Sequence, residues 1–296
     1  MLINEEKIII IDSKSGNTAQ IAPKKGAMLQ ELMLNKQSII QTKVFDIESK
    51  VGYPSAFLFP FPNRIEDGKY TFQGIDYQLP ITEPQHNNAI HGLIAFSEFE
   101  VVSSSDSTLK LKYTYQANFD YYPFSFDFEV LFSITESAFI LNYSASNTGT
   151  QDMPCAFGWH PYFQISGENI DNLTLKISEG QNLALNERNL PEKTEEAKNC
   201  ISEIDLNQKQ YDHLYKINQI GTEIAKAELS NAQNKICIEY QSNSSETYLM
   251  IYTPPSRNCI AIEPQTANIN CFNNLEGLSV LKPNEKLEGE IRISVR

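Results

Sequence analysis

In FSFDFEVLFSI (residues 124–134) every second residue, Phe124, Phe126, Phe128, Val130, Phe132 and Ile134, is large and apolar, with Ser125, Asp127 and Glu129 among those between. Successive side chains of a strand point to opposite faces, so this spacing predicts a strand with one buried face. Moving outward, Leu109, Leu111, Tyr113 and Tyr115 alternate with Lys110, Lys112 and Thr114. Near the end of the chain Leu287, Ile291, Ile293 and Val295 face one way, and Glu288, Glu290 and Arg292 the other. Half-exposed strands of this kind belong to antiparallel sheets. Turn clusters separate them, among them SKSGN at 13–17, SNTG at 146–149 and KPNE at 282–285. A helical 3.6-residue pattern is hard to find. Its best stretch, residues 192–203, is charge-rich and follows Pro191, and is expected to form a loop or a short surface helix. With no internal repeat or linker, the expectation is one all-β domain spanning residues 1–296, a large antiparallel β-sandwich.

The 296 residues are 41% hydrophobic and 21% charged, enough apolar material for a large core. A formal charge of −13 repels a phosphate backbone or an anionic leaflet, so nucleic acid and membrane are poor partners. No window approaches the roughly 18 apolar residues of a spanning helix. The start, MLINEEKIIII, carries acids where a signal peptide is basic, and a cytoplasmic protein is expected. Five cysteines without CxxC or metal-type spacing read as reduced thiols used in packing.

Five segments hold the polar residues that could do chemistry. In PFPNRIEDGKYTF, Asn63 and Arg64 follow two prolines and precede Asp67-Gly68, a hairpin-turn signal. The Arg64 fork suits adjacent hydroxyls or a carboxylate, or else it is a surface arginine. EPQHNNAIHGLIAF carries His86 and His91 five apart, which is not a metal pair on one strand or helix face. CAFGWHPYF sets His160 among Phe157, Trp159, Tyr162 and Phe163, as a core imidazole or as one that trades protons beside a sugar-stacking surface. KQYDHLYKI holds Asp212 and His213. In NCIAIEPQTANINCFN, Glu263 ends the apolar run Ile260-Ala261-Ile262, where a carboxylate is costly unless paired or used. GxSxG, Walker and dinucleotide fingerprints are absent from the sequence. Histidines, carboxylates, an arginine and aromatics make a sugar-binding, proton-moving set.

Taken in order, NRI with a following GxY (Arg64, Gly68, Tyr70), His91-Gly92, GWHPYF at 158–163, the aspartate of YDHLY, YTPP at 252–255 and IEPQTA at 262–267 resemble the motifs of the aldose 1-epimerase (mutarotase) family, over residues 52–273 at least. The resemblance implies a galactose mutarotase-like sandwich with a cleft on one sheet, and neither metal nor organic cofactor. Its implied activity is interconversion of the α and β anomers of a free hexose, with a small monosaccharide as partner and a monomer or homodimer as the assembly. On matching positions it implies Glu263 as general base, His160 as general acid and His91 at the ring oxygen. Arg64, with Asn63 beside it, and Asp212 are implied to hold substrate hydroxyls, whereas His86 and His213 match no family role. Reference values near 4.3 for Glu and 6.5 for His require the site to shift one or both, and a neighbouring carboxylate such as Asp212 is expected to raise the imidazole. The alternatives are a hexose-6-phosphate mutarotase, a non-catalytic carbohydrate-binding protein on the same fold, and a glycoside hydrolase built on Asp212 and Glu263. The first needs a basic cluster, and none lies in the five segments.

Overall fold

Phe126–Ile134 is a nine-residue strand whose side chains alternate buried and half-exposed along its whole length. The computed structural model that contains it describes residues 3–4, 7–12, 14–42, 45, 52–165, 167–192, 200–218 and 224–296. Thr108–Tyr115 and Phe139–Asn147 flank this strand, both antiparallel to it. Lys286–Val295 continues the ladder beyond Phe139–Asn147, followed by Lys235–Ser242 and Ala225–Ser230.

The ladder then changes layer within one strand. Thr174–Asn182 pairs through Thr174 to Ile177 with Ala225–Ser230, and through Gly180 to Asn182 with Asp212–Ile217. From there Tyr248–Tyr252 and Ile260–Gln265 follow, then the short strands Gly158–Trp159 and Tyr162–Phe163, and finally Gln37–Gln41, Met28–Leu34 and Thr18–Ala22.

The result is an all-β antiparallel sandwich, as the alternation predicts. Its core is aromatic. Phe59 meets Phe126 edge to face at 4.8 Å, Phe57 lies 5.5 Å from Phe128, and Tyr143 stacks on Phe157 at 3.5 Å between ring centroids. Each such ring, fully removed from water, contributes about 1.5–3 kcal/mol. Because side chains alternate, the strands that bury Phe157, Trp159, Ile260 and Ile262 in this core turn Gly158, His160, Ala261 and Glu263 to the opposite face. The core thereby fixes the aim of the residues on the far side.

Two sequence expectations need correction. Asp67-Gly68 does form a turn with positive φ at both residues, but its flanking strands pair elsewhere. Arg64–Glu66 pairs with Asn88–Ile90, and the hairpin is instead Lys69–Phe72 with Ile75–Gln78 around Gln73-Gly74. Of the expected loop or surface helix at 192–203, residues 193–199 lie outside the described residues, whereas Cys200–Asp205 is a strand against Thr174–Asn182. The five cysteines are free thiols, four of them buried. Among the described residues no helix is long and apolar enough to cross a membrane.

Candidate active site

Asn63, Arg64, His91, His160, Asp212 and Glu263 all line one cavity of about 660 Å³ on the face turned away from the aromatic core. Glu263 and His160 are buried, their side chains 2% and 7% exposed, with Oε1 of the acid 3.3 Å from Nε2 of the imidazole. Gln265, two residues along the same strand and therefore on the same face, donates from Nε2 to Glu263 Oε2 at 3.3 Å. The His160 backbone is clamped on both sides, its N–H on the Ala56 carbonyl and its C=O accepting from Ser55 N–H. Gly158 lets this strand pack closely against Pro62 and Gln265. A Cβ there would stand 2.8 Å from Pro62 Cβ and 3.3 Å from Gln265 Cγ. Gly158→Ala is expected to cost about 1–3 kcal/mol of stability through overpacking, checked by the urea midpoint.

His91 closes the cavity from the loop side. Its φ of +65° and that of Asn63 (+57°) are both left-handed, and the His91 N–H bonds to the Asn63 carbonyl at 2.9 Å, locking the two bends together. The His91 ring meets Tyr53 edge-on at 4.5 Å and His160 at 5.5 Å. Tyr162 lies against His160 with centroids 5.0 Å apart, and Tyr252 stands beyond it. Apolar ring surface and hydrogen-bonding groups therefore alternate around the walls.

Arg64 is held more tightly than its sequence context suggests. Glu83 accepts from Nε at 2.9 and 3.1 Å and from a terminal nitrogen at 3.0 Å, and Asn63 Oδ1 accepts from the other terminal nitrogen at 3.0 Å. Asp212 is farther, 3.8 Å from Arg64, and accepts from Asn189 Nδ2 at 3.2 Å. Glu83 also accepts from Asn88 Nδ2 at 3.1 Å and stands 3.2 Å from His86 Nδ1. Sequence reasoning missed this residue. It opens the segment quoted for its histidines, EPQHNNAIHGLIAF, where it is the one acid before His86 and His91.

Burial dominates the acid–base behaviour. Desolvation raises Glu263 well above the usual carboxylate range, reinforced by the Asp212 charge. Desolvation also pushes His160 down to about 4, against a smaller upward pull from its own backbone carbonyl. His91 is lowered well below its ordinary value by burial, then by His160 and Arg64. The expectation that Asp212 raises the imidazole is thus overturned: the Asp212 charge bears on Glu263, and low dielectric decides His160. Asp212 is itself raised by burial, offset in part by Arg64. Burial is the largest single influence on Glu83 and pushes it up, but the hydrogen bonds and charge of Arg64, with the bonds from Asn88 and His86, together hold it below the usual range. Among the described residues no three His, Cys, Asp or Glu side chains are arranged to hold a metal ion.

The family model for aldose 1-epimerase matches residues 7–294. The uncharacterised protein YihR of Escherichia coli (strain K12) is 25% identical over 238 residues, 77% of this chain and 74% of that one. In fold, the chain is similar to a galactose mutarotase-like protein from Clostridium acetobutylicum, with a TM-score of 0.84, 23% identity and 99% of both chains covered. It is also similar to the GalM/aldose epimerase homologue from C. elegans, with a TM-score of 0.81, 17% identity and 98% of both chains covered.

Proposed function

Because the chain belongs to the aldose 1-epimerase family, we propose that it interconverts the α and β anomers of a free hexose of the glucose or galactose type, with Glu263 and His160 moving the protons. The observation that carries this reading is the 3.3 Å contact between a buried carboxyl and a buried imidazole in a cavity walled by tyrosines and hydrogen-bonding groups.

Before a sugar binds, burial favours the neutral pair, with the proton on Glu263. A C1 hydroxyl donating to Glu263 beside Gln265 favours the carboxylate, and the displaced proton is taken up by His160 Nε2. Glu263 then removes the C1 hydroxyl proton while His160 gives its proton to the ring oxygen. The bond from C1 to the ring oxygen breaks and C1 becomes an aldehyde. Rotation about C1–C2 and the reverse transfers close the ring with C1 inverted. The pair begins and ends with the same number of protons, and ring opening returns it to the neutral form that burial prefers. In this reading His91 accompanies the ring oxygen, and Arg64, Asn63 and Asp212 meet the remaining hydroxyls.

An unphosphorylated sugar is favoured by the charges. Among the described residues lining the cavity Arg64 is the one lysine or arginine, and Glu83 engages it, with Asp212 and Glu263 nearby. A dianionic phosphate would meet more acid than base. Free glucose is expected to be turned over in preference to its 6-phosphate when the two compete in a polarimetric assay.

His160→Asn is expected to lower kcat by about 10²-fold with KM little changed, since a group acting on the transition state leaves ground-state binding largely intact. Polarimetry of fresh α-D-glucose or α-D-galactose reads this directly. An unchanged kcat removes His160 as the acid.

A further inference from the structure

Arg188 lies outside every motif that carries the family resemblance, yet its side chain ties together three segments that supply walls of the candidate site. It sits on a tight loop, where Leu185 bridges Pro191 and Asn186 Oδ1 accepts from the Arg188 and Leu190 N–H groups at 2.8 and 3.2 Å. From there Nε donates to the His86 carbonyl at 3.0 Å. One terminal nitrogen donates to Asp67 Oδ1 at 2.7 Å, Asn88 Oδ1 at 3.1 Å and the Asn87 carbonyl at 3.2 Å, and the other stands 3.4 Å from Glu66 Oε1. Asn88 answers with Nδ2, shared between the Arg188 carbonyl at 3.3 Å and Glu83 Oε2 at 3.1 Å, and Glu83 in turn grips Arg64. The next residue along the loop, Asn189, holds a left-handed φ of +56° and donates to Asp212 Oδ2 at 3.2 Å. One guanidinium therefore stands behind both charged groups proposed to meet the sugar's hydroxyls, Arg64 through Asn88 and Glu83, and Asp212 through Asn189. An ion pair at a half-exposed surface is weakened by salt, but three of these five acceptors are neutral oxygens, which a fork of fixed donors reaches together.

Resting on the activity proposed above, we infer that Arg188 is a positioning residue for substrate binding, which fixes the hydroxyl-meeting wall of the cavity without touching the sugar. The proton-moving pair is held instead by the sheet, Glu263 within Ile260–Gln265 and His160 between Gly158–Trp159 and Tyr162–Phe163. Without Arg188 the loop and the Asn88 amide sample other arrangements, and apparent affinity falls by the fraction of time that the competent one is populated. Once a sugar is bound, its conversion proceeds as before.

Polarimetry of fresh α-D-glucose and α-D-galactose on Arg188→Ala and Arg188→Lys tests this. The alanine variant is expected to raise KM about fivefold, as when the competent arrangement is populated about a fifth of the time, with kcat within about twofold of wild type. Lysine keeps a cation beside Asp67 but lacks the fork, so its KM is expected between the other two. An unchanged KM in the alanine variant refutes the role and leaves the activity standing. So does a kcat that falls in step with the rise in KM, or an alanine variant that does not fold, either of which makes the arginine a general support of the structure. A lysine variant as impaired as the alanine one refutes it equally. If folded wild-type protein converts neither sugar, the proposed activity fails and the role of Arg188 fails with it.

Discussion

Glu263→Gln is expected to lose about 10³-fold in kcat for mutarotation of fresh α-D-galactose or α-D-glucose and, at the same time, to become more stable. The rate loss follows from removing the carboxylate proposed to take the C1 proton, within the ~10²–10⁴ that a positioned acid or base contributes. The gain follows from burial: an amide of the same shape keeps the contacts with His160 and Gln265 without a charge to desolvate. About 1 kcal/mol is expected at neutral pH, read from urea unfolding. The sign with pH is definite. A carboxyl raised in the folded state contributes stability below its unfolded value near 4.3 and loses it as pH rises. The variant's advantage should therefore widen from about pH 4.3 upward. His160, depressed to about 4, acts in the opposite direction: its contribution is present above pH 6.5 and lost as pH falls toward 4, in both proteins. Near-normal mutarotation by the variant removes Glu263 as the base. A variant less stable than wild type makes the carboxylate structural.

Glu83→Ala is expected to cost about 3 kcal/mol of stability and to raise the KM for sugar severalfold. It leaves the buried Arg64 guanidinium without its three charge-assisted bonds, and breaking a buried pair by deleting one partner typically costs ~3–5 kcal/mol. The lower figure is expected because Asp212, 3.8 Å away, can take over part of the charge. That substitution has its own cost, since an Asp212 carboxylate captured by Arg64 is no longer presented to a hydroxyl. Glu83→Gln should recover roughly half of the stability, because the amide oxygen still accepts from the guanidinium. Urea midpoints and polarimetric KM values on the two variants separate the effects. A fully stable Glu83→Ala protein with normal KM would show that Arg64 is positioned by Asn63 alone.

The layers of the fold are legible because period-two alternation is a local signal. Residues 109–115, 124–134 and 287–295 announce their buried faces without reference to any partner, and the strands Thr108–Tyr115, Phe126–Ile134 and Lys286–Val295 turn those faces inward, with Tyr113 and Val295 half-buried. The gathering of Asn63, Arg64, His91, His160, Asp212 and Glu263 around one cavity is foreseeable only through several motifs taken in order, because pairings across 200 residues leave no periodic trace. Glu83 is hidden for the opposite reason. Nothing in its neighbourhood is unusual, and its importance lies in an arginine 19 residues earlier and in a burial that sequence does not display. The direction of the His160 shift runs against the sequence expectation because a nearby acid is visible in sequence and the loss of water around a ring is not. At Asp67-Gly68 the turn chemistry holds and the pairing does not, since a tight bend says which way the chain goes and not which strand will meet it.

Thr174–Asn182, bonded to one layer through its first half and to the other through its second, leaves the sandwich without a seam along which to part. A ligand therefore enters between jaws that do not swing like a clamshell. Its passage depends on side chains and loops at the mouth, and the 3.3 Å separation of the Glu263 carboxyl and the His160 imidazole is set by the sheet that carries them.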